Sequence, residues 1–229
     1  MRFRERNRAN VLAYWQKRQA KERARINNNS KNKLRLKALV FGYLAGDGHV
    51  GIREEKGRGF HNEVGFYPDH SSLLSPFIAA LKTVYNIAPT IREHNNFYSV
   101  RFNSKIVVED LLKHAAFGVK TWSIPSFIMN SKQLLKEWLR AFFDAEGYIT
   151  SKVIRVQTVN EKGIRDVQKL LSLFHIESKI YSYSPKNPKW SVNHILIISM
   201  KKSRQKFLNE IGLNHKVKYL RLKESLLTG

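Results

Sequence analysis

Apolar positions along the chain keep two rhythms, a spacing of three and four residues that marks helices and an alternation that marks strands. The helical rhythm is strongest at Leu36, Leu39, Val40, Tyr43 and Leu44, and it returns at Leu135, Trp138, Leu139, Phe142 and Phe143. Both runs end in an acid and a glycine, Asp47-Gly48 and Glu146-Gly147. One offset, 146 − 47 = 99, also sets Gly42 against Ala141 and Gly46 against Ala145. The chain therefore carries one element twice, a helix that closes on a carboxylate. The glycine after each acid is expected to adopt the left-handed conformation of a helix end. Small residues at four-residue spacing (Ala38, Gly42, Gly46; Ala141, Ala145) predict that the two helices pack with their backbones close, which would bring Asp47 and Glu146 together.

The stretches behind the two helices repeat as well. Alternation predicts strands at His49 to Arg53 and Asn62 to Tyr67, joined by EEKGRG (Glu54 to Gly59), with Pro68 ending the second. A helix from Ser71 or Ser72 to Tyr85, strands at Thr90 to Arg92 and Phe97 to Phe102, and a helix from Ser104 to Phe117 complete the first half. Thr121 to Ser131, with Pro125 and a helix cap at Asn130 or Ser131, reads as the joint. The second half predicts strands at Tyr148 to Thr150 and Val153 to Thr158, a helix from Lys162 to Phe174 and a strand at Lys179 to Tyr183. The loop SPKNPK, a strand at Val192 to Ile198, a helix from Lys201 to Ile211 and a final amphipathic helix, His215 to Leu227, follow. Even the helix-to-strand junctions echo: YNIAPTI (Tyr85 to Ile91) matches FHIESKI (Phe174 to Ile180) at an offset of 89. The expectation is an α+β protein of two pseudo-symmetric αββαββα halves, residues 34–130 and 131–229, after an extension of residues 1–33.

Four antiparallel strands under helices bury one sheet face and leave the other exposed. On the face predicted to be exposed stand Arg53, Arg92, Arg101, Arg155, Gln157, Lys179, Tyr181 and Tyr183, donors suited to phosphates and base edges. The loops add Lys56, Arg58, Lys152, Lys186 and Lys189.

Charge sharpens this picture. A formal net charge of +23 calls for a polyanionic partner, and nucleic acid is preferred to a membrane because no apolar run approaches the ~20 residues of a spanning helix. The first 33 residues hold eleven Lys or Arg against Glu5 and Glu22. There a helix from Arg8 to Arg25, with Val11, Leu12 and Trp15 as a narrow apolar stripe, and a polar linker, Ile26 to Lys33, read as a phosphate-contacting extension. A mitochondrial presequence and a solvated tail are the competing readings. The absence of cysteine excludes a disulfide framework, thiolate-bound zinc and a thiol nucleophile, so any metal must be held by oxygen or histidine. No glycine-rich phosphate loop is present, and ATP dependence is not expected. His49 has no partner at metal-ligand spacing and reads as a DNA-contact or surface residue.

Two carboxylates at helix C-termini face the unfavourable end of the macrodipole and call for a compensating cation. A pair of divalent ions would supply it, with Asp47 and Glu146 as ligands and the carbonyls of Gly46 and Ala145 completing the set. Such ions also provide what phosphodiester hydrolysis needs: a positioned water, neutralised phosphate charge and a stabilised leaving oxygen. Two acids on a pseudo-dyad can serve one scissile phosphate in each strand of a duplex.

The repeats, VFGYLAGDG at Val40 to Gly48 and LRAFFDAEG at Leu139 to Gly147, resemble the paired motif of the LAGLIDADG homing endonucleases. The resemblance covers Leu34 to the end. It implies a monomeric, site-specific double-strand DNA endonuclease whose sheets form a saddle over the major groove of a long, partly pseudo-palindromic target. The cut, across the minor groove, would leave short 3′ overhangs with 5′ phosphates. The implied cofactor is Mg²⁺, with Mn²⁺ as a substitute and Ca²⁺ supporting binding without cleavage. The family's basic residue near each centre is implied at Lys105 and Lys201, and its water-positioning residue at Asp69 or His70 and at Asn160. An intron-encoded or free-standing reading frame without a protein-splicing domain is implied too, cytoplasmic or nucleoid-associated in a prokaryote and organellar in a eukaryote. The family also contains RNA maturases. A maturase, or a nucleic-acid-binding protein that kept the fold without catalysis, is the competing reading.

Overall fold

Helix α1 (Arg2–Ile26) leads the chain in a computed structural model that describes residues 2–26, 30–55, 59–187 and 189–227. It starts earlier than the apolar stripe alone predicts. Val11, Leu12, Tyr14 and Trp15 are exposed along it, whereas Ile26 at its end enters the core. The Ser30 side chain accepts the N–H of Lys33 and opens helix α2 (Lys31–Asp47), so the linker is shorter than expected. Ser131 does the same for the N–H of Leu134 at the start of helix α5 (Lys132–Glu146).

Behind α2 come β1 (Gly48–Glu55), β2 (Gly59–Phe66), α3 (Leu74–Tyr85), β3 (Thr90–Glu93), β4 (Tyr98–Asn103) and α4 (Lys105–His114). Behind α5 come β5 (Tyr148–Ile149), β6 (Ile154–Thr158), α6 (Glu161–Leu173), β7 (Lys179–Tyr183), β8 (Asn193–Ile198) and α7 (Lys201–Glu210), then α8 (Lys216–Leu227). The two sheets are antiparallel with the same order, β1-β2-β4-β3 and β5-β6-β8-β7. They differ in the first hairpin, which pairs from Gly48↔Phe66 to Glu55↔Gly59 in one half and only at Tyr148↔Arg155 and Ile149↔Ile154 in the other.

One face of each sheet is closed by helices: Val64, Phe66 and Val100 are fully buried, as are Ile154, Val156, Leu196 and Ile198. Both sets join a single apolar core through α2 and α5. These helices meet at backbone distance. A Cβ on Gly42 would lie 2.8 Å from that of Ala141, and one on Gly46 would lie 2.5 Å from that of Ala145. The small residues therefore act as the spacing predicts.

Three local expectations are corrected. Gly48 and Gly147 are extended, with φ of −106° and −69°, not left-handed. Glycine suits these positions because a Cβ there would strike the last turn of its own helix, at Leu44 and Phe143. Among the described residues the left-handed ones are Gly212 (φ 68°) and, at matching places in the two junction repeats, Asn86 (φ 57°) and His175 (φ 56°). Helix α3 is entered through a short 3-10 turn, Ser71–Leu73, whose cap is neither serine but the His70 ring, which accepts the N–H of Ser72.

Candidate functional site

The paired helices deliver their acids to one place. A Cβ on Gly46, the residue before Asp47, would lie 3.1 Å from the Glu146 Cγ, so the two carboxylates leave the seam side by side. Both are largely screened from water. Burial, joined by the charge of Asp69, pushes Asp47 up to about 6 against the counter-pull of Lys218 and His215. Burial, joined by the charge of Asp47, pushes Glu146 up to about 7, again opposed by Lys218. The charge of Asp69 thus makes Asp47 costlier to ionise, and that of Asp47 does the same to Glu146, a setting that a cation relieves.

The cation present is Lys218, from α8. Its Nζ donates to the carbonyl oxygens of Asp144 at 2.6 Å and Ala145 at 2.8 Å. Burial lowers its pKa, while Asp69, Asp47, Asp144 and Glu146 hold the charge in place. The entry to α8 is fixed around it. The Asp144 carboxylate, fully buried, accepts the backbone N–H groups of Asn214 (2.8 Å) and His215 (2.9 Å) and the Tyr43 hydroxyl (3.2 Å). His215 Nδ1 accepts the N–H of Lys218 at 3.3 Å, which leaves Nε2 to donate to Asp69 Oδ1 at 3.1 Å. Although its partial burial works the other way, the bond from His215 and the charge of Lys218 hold Asp69 below the usual carboxylate range.

Asp47, Glu146 and Asp69 therefore all act on Lys218. Asn160 occupies the place matching Asp69 at the end of β6, but it is buried, capping α6 through Gly163 N–H and donating to the Trp122 carbonyl at 2.6 Å. Lys105 and Lys201 are the exposed first residues of α4 and α7. Among the described residues no hydrogen bond or ion pair joins either to Asp47 or Glu146; Lys105 lies 3.9 Å from Glu109 on its own helix. The Ala145 carbonyl faces Lys218, whereas no side chain among the described residues donates to that of Gly46.

Sequence reading missed Lys218, His215 and Asp144. The one available signal was Asp144 itself, an acid on the apolar side of a helix where the first copy has Ala45.

The sheet faces carry the expected donors. Arg53, Arg92, Arg101, Arg155, Gln157, Lys179, Tyr181 and Tyr183 are all exposed, as are Lys152, Lys186 and Lys189; Lys56 and Arg58 lie outside the described residues. Several are already oriented by neighbours: Arg101 pairs with Glu63, Arg155 stands over the Tyr148 ring at 4.4 Å, and Gln157 donates to Asn193 at 3.3 Å.

Residues 133–212 match the family model of the LAGLIDADG-like domain. The second half is a LAGLIDADG-like domain. The LAGLIDADG fold extends over both halves. The structure of I-DmoI in complex with DNA and Mn superposes with a TM-score of 0.62, covering 79% of this chain and 97% of that one at 18% identity. I-DmoI structures with DNA and Ca, or with target DNA in the presence of Mg, give the same score. Full-length DUF199/WhiA from Thermatoga maritima superposes at a TM-score of 0.56, covering 91% of this chain and 65% of that one, with 14% identity. Two curated relatives come from Methanocaldococcus jannaschii. A glutamine-fructose-6-phosphate aminotransferase is 28% identical over 194 residues, 82% of this chain and 17% of the relative. A replication factor C small subunit is 29% identical over 188 residues, 80% of this chain and 10% of the relative. The chain thus spans a small part of either relative.

Proposed function

We propose that this chain is a metal-dependent, site-specific DNA endonuclease that hydrolyses one phosphodiester bond in each strand of a duplex. The observation that carries the reading is the convergence of Asp47 and Glu146 at the ends of two packed, duplicated helices. Their oxygen donors suit hard divalent ions such as Mg²⁺ or Mn²⁺. Among the described residues no three His, Asp or Glu side chains form a metal cluster, so an ion would be shared between these acids, main-chain oxygen and the substrate phosphate. Once bound, it would supply a nucleophilic water and stabilise the leaving oxygen.

The remaining work falls to the chain's own residues. Asp47 and Glu146 hold negative charge where a phosphate must arrive, so they bind DNA productively only with their charge compensated. Lys218, beside both, offers a donor to charge developing on the phosphate. Asp69, held by His215 Nε2, keeps one carboxylate oxygen for orienting water. The exposed donors of the two sheets bind the flanking duplex, and monomeric action follows from having both acids in one chain. The likeness to I-DmoI, solved with DNA, supports this assignment of faces. Recurrence of the segment inside two differently named proteins supports a module that moves between hosts, the setting in which a site-specific cut is useful.

The test is to incubate the protein with its own locus lacking the insertion, add Mg²⁺ and map the ends. Short 3′ overhangs with 5′ phosphates are expected, absent in Asp47→Asn. A second reading, a nucleic-acid-binding protein that does not cut, is favoured by one observation: Lys218 already occupies a carbonyl that a metal would use. Footprinting without cleavage at the same locus would select it.

A further inference from the structure

Part of the compensating charge at the seam is already built in, and on one side only. Lys218 Nζ bonds the carbonyls of Asp144 and Ala145, the last-turn oxygens of α5. The residues matching these in α2 are Ala45 and Gly46, and among the described residues no side chain donates to their carbonyls.

The asymmetry has a structural origin. After each half the chain crosses to the other half's sheet end. The first crossing buries Trp122, whose carbonyl receives Asn160, and then enters a short 3-10 turn, Ser126–Asn130. The second buries His215, which binds Asp69, and then enters α8. Only the second crossing is followed by a helix that carries an ammonium group into the seam; Pro125 introduces the turn after the first.

We propose that Lys218 takes the place of a divalent ion at the Glu146 end of the centre, so that the protein holds metal chiefly on the Asp47 side. An ammonium on the Ala145 carbonyl removes a main-chain ligand and repels a second dication at contact distance. The groups facing Lys218 are Asp47, Asp69, Asp144 and Glu146, with His215 beside it. The inference rests on the endonuclease reading only for the presence of a metal.

Titration of the whole chain with Mn²⁺ at pH 8, followed by the electron paramagnetic resonance of the free ion, needs neither a target site nor cleavage. Wild type is expected to bind one ion. Asp47→Asn should weaken it by ~10-fold or more and Glu146→Gln by less than ~3-fold; Lys218→Met should admit a second ion, and Lys218→Arg should stay at one. Two ions of similar affinity in wild type, or equal weakening by the two acid variants, would overturn the inference while leaving the metal reading intact. If Lys218→Met does not fold, the two acid variants still decide. If no variant binds Mn²⁺, the inference and the metal-dependent reading fall together.

Discussion

Asp47 and Glu146 are costly to keep. Their ordinary values of 3.8 and 4.5 rise to about 6 and 7 in the folded chain, so the folded state binds these protons more tightly than the unfolded state does. The resulting stability is fully present below the unfolded values and is lost as pH rises through 6 to 7. In metal-free buffer at pH 8, Asp47→Asn and Glu146→Gln should therefore each be more stable than wild type, by roughly 1–3 kcal/mol. The gap should narrow as pH falls through 7 and 6 and close only near pH 4, below the unfolded values, and denaturant melts of the three proteins from pH 8 to 4 check it. The same substitutions should remove double-strand cleavage while leaving DNA binding within a few-fold, measured by gel shift and end mapping. Both acids were legible in the sequence because the helix repeats. Lys218 was not, because a lysine in a basic tail looks like any other until Asp144 is seen to dock its helix.

Elements were more legible than their docking. The strands and helices expected behind the two repeats are all found, with ends shifted by up to about three residues, as where α4 stops at His114 rather than Phe117 and α3 begins at Leu74. What the pattern could not disclose was chirality and docking. Left-handed turns fell to Asn86 and His175, and the predicted tail helix proved to be wired to α5 through Asp144. Asp144→Ala removes the acceptor of two backbone N–H groups and of the Tyr43 hydroxyl, which keeps only the Asn214 amide as a partner. It should destabilise by roughly 2–4 kcal/mol. Hydrogen exchange should show the weakening first in residues 214–227, and protection there equal to wild type would refute this view of α8. His175→Gly should stabilise by a few tenths to about 1 kcal/mol, since the left-handed region is strained for a histidine and open to glycine; Asn86 has less to gain.

The molecule as a whole is one core with a basic outrigger. Ile26 is buried and Arg23 reaches Glu109, so the end of α1 is structural while its earlier, exposed part is available for phosphate. Deleting residues 1–22, which hold seven Lys or Arg and two Glu, should flatten the salt dependence of DNA affinity by about 0.9 in log–log slope for each phosphate that the arm no longer neutralises. Site preference and melting temperature should change little. Deleting residues 1–33 removes Ile26 and the Ser30 cap as well, and a lower melting temperature is expected. Neither half, expressed alone, should cut both strands of a duplex while monomeric, because each supplies one acid; sedimentation and plasmid linearisation together test this.

The close approach of α2 and α5 bears on how such a protein can be re-engineered. Gly42 touches Ala141 and Gly46 touches Ala145, so a larger side chain at any of these four positions must be matched across the seam. Drift in one half is thereby coupled to drift in the other. A chimera that joins this first half to the second half of a distant relative inherits an unmatched quartet and should fold poorly. One that moves the four residues as a block, and exchanges only the outward positions of the strands, keeps the scaffold and changes the sequence it reads.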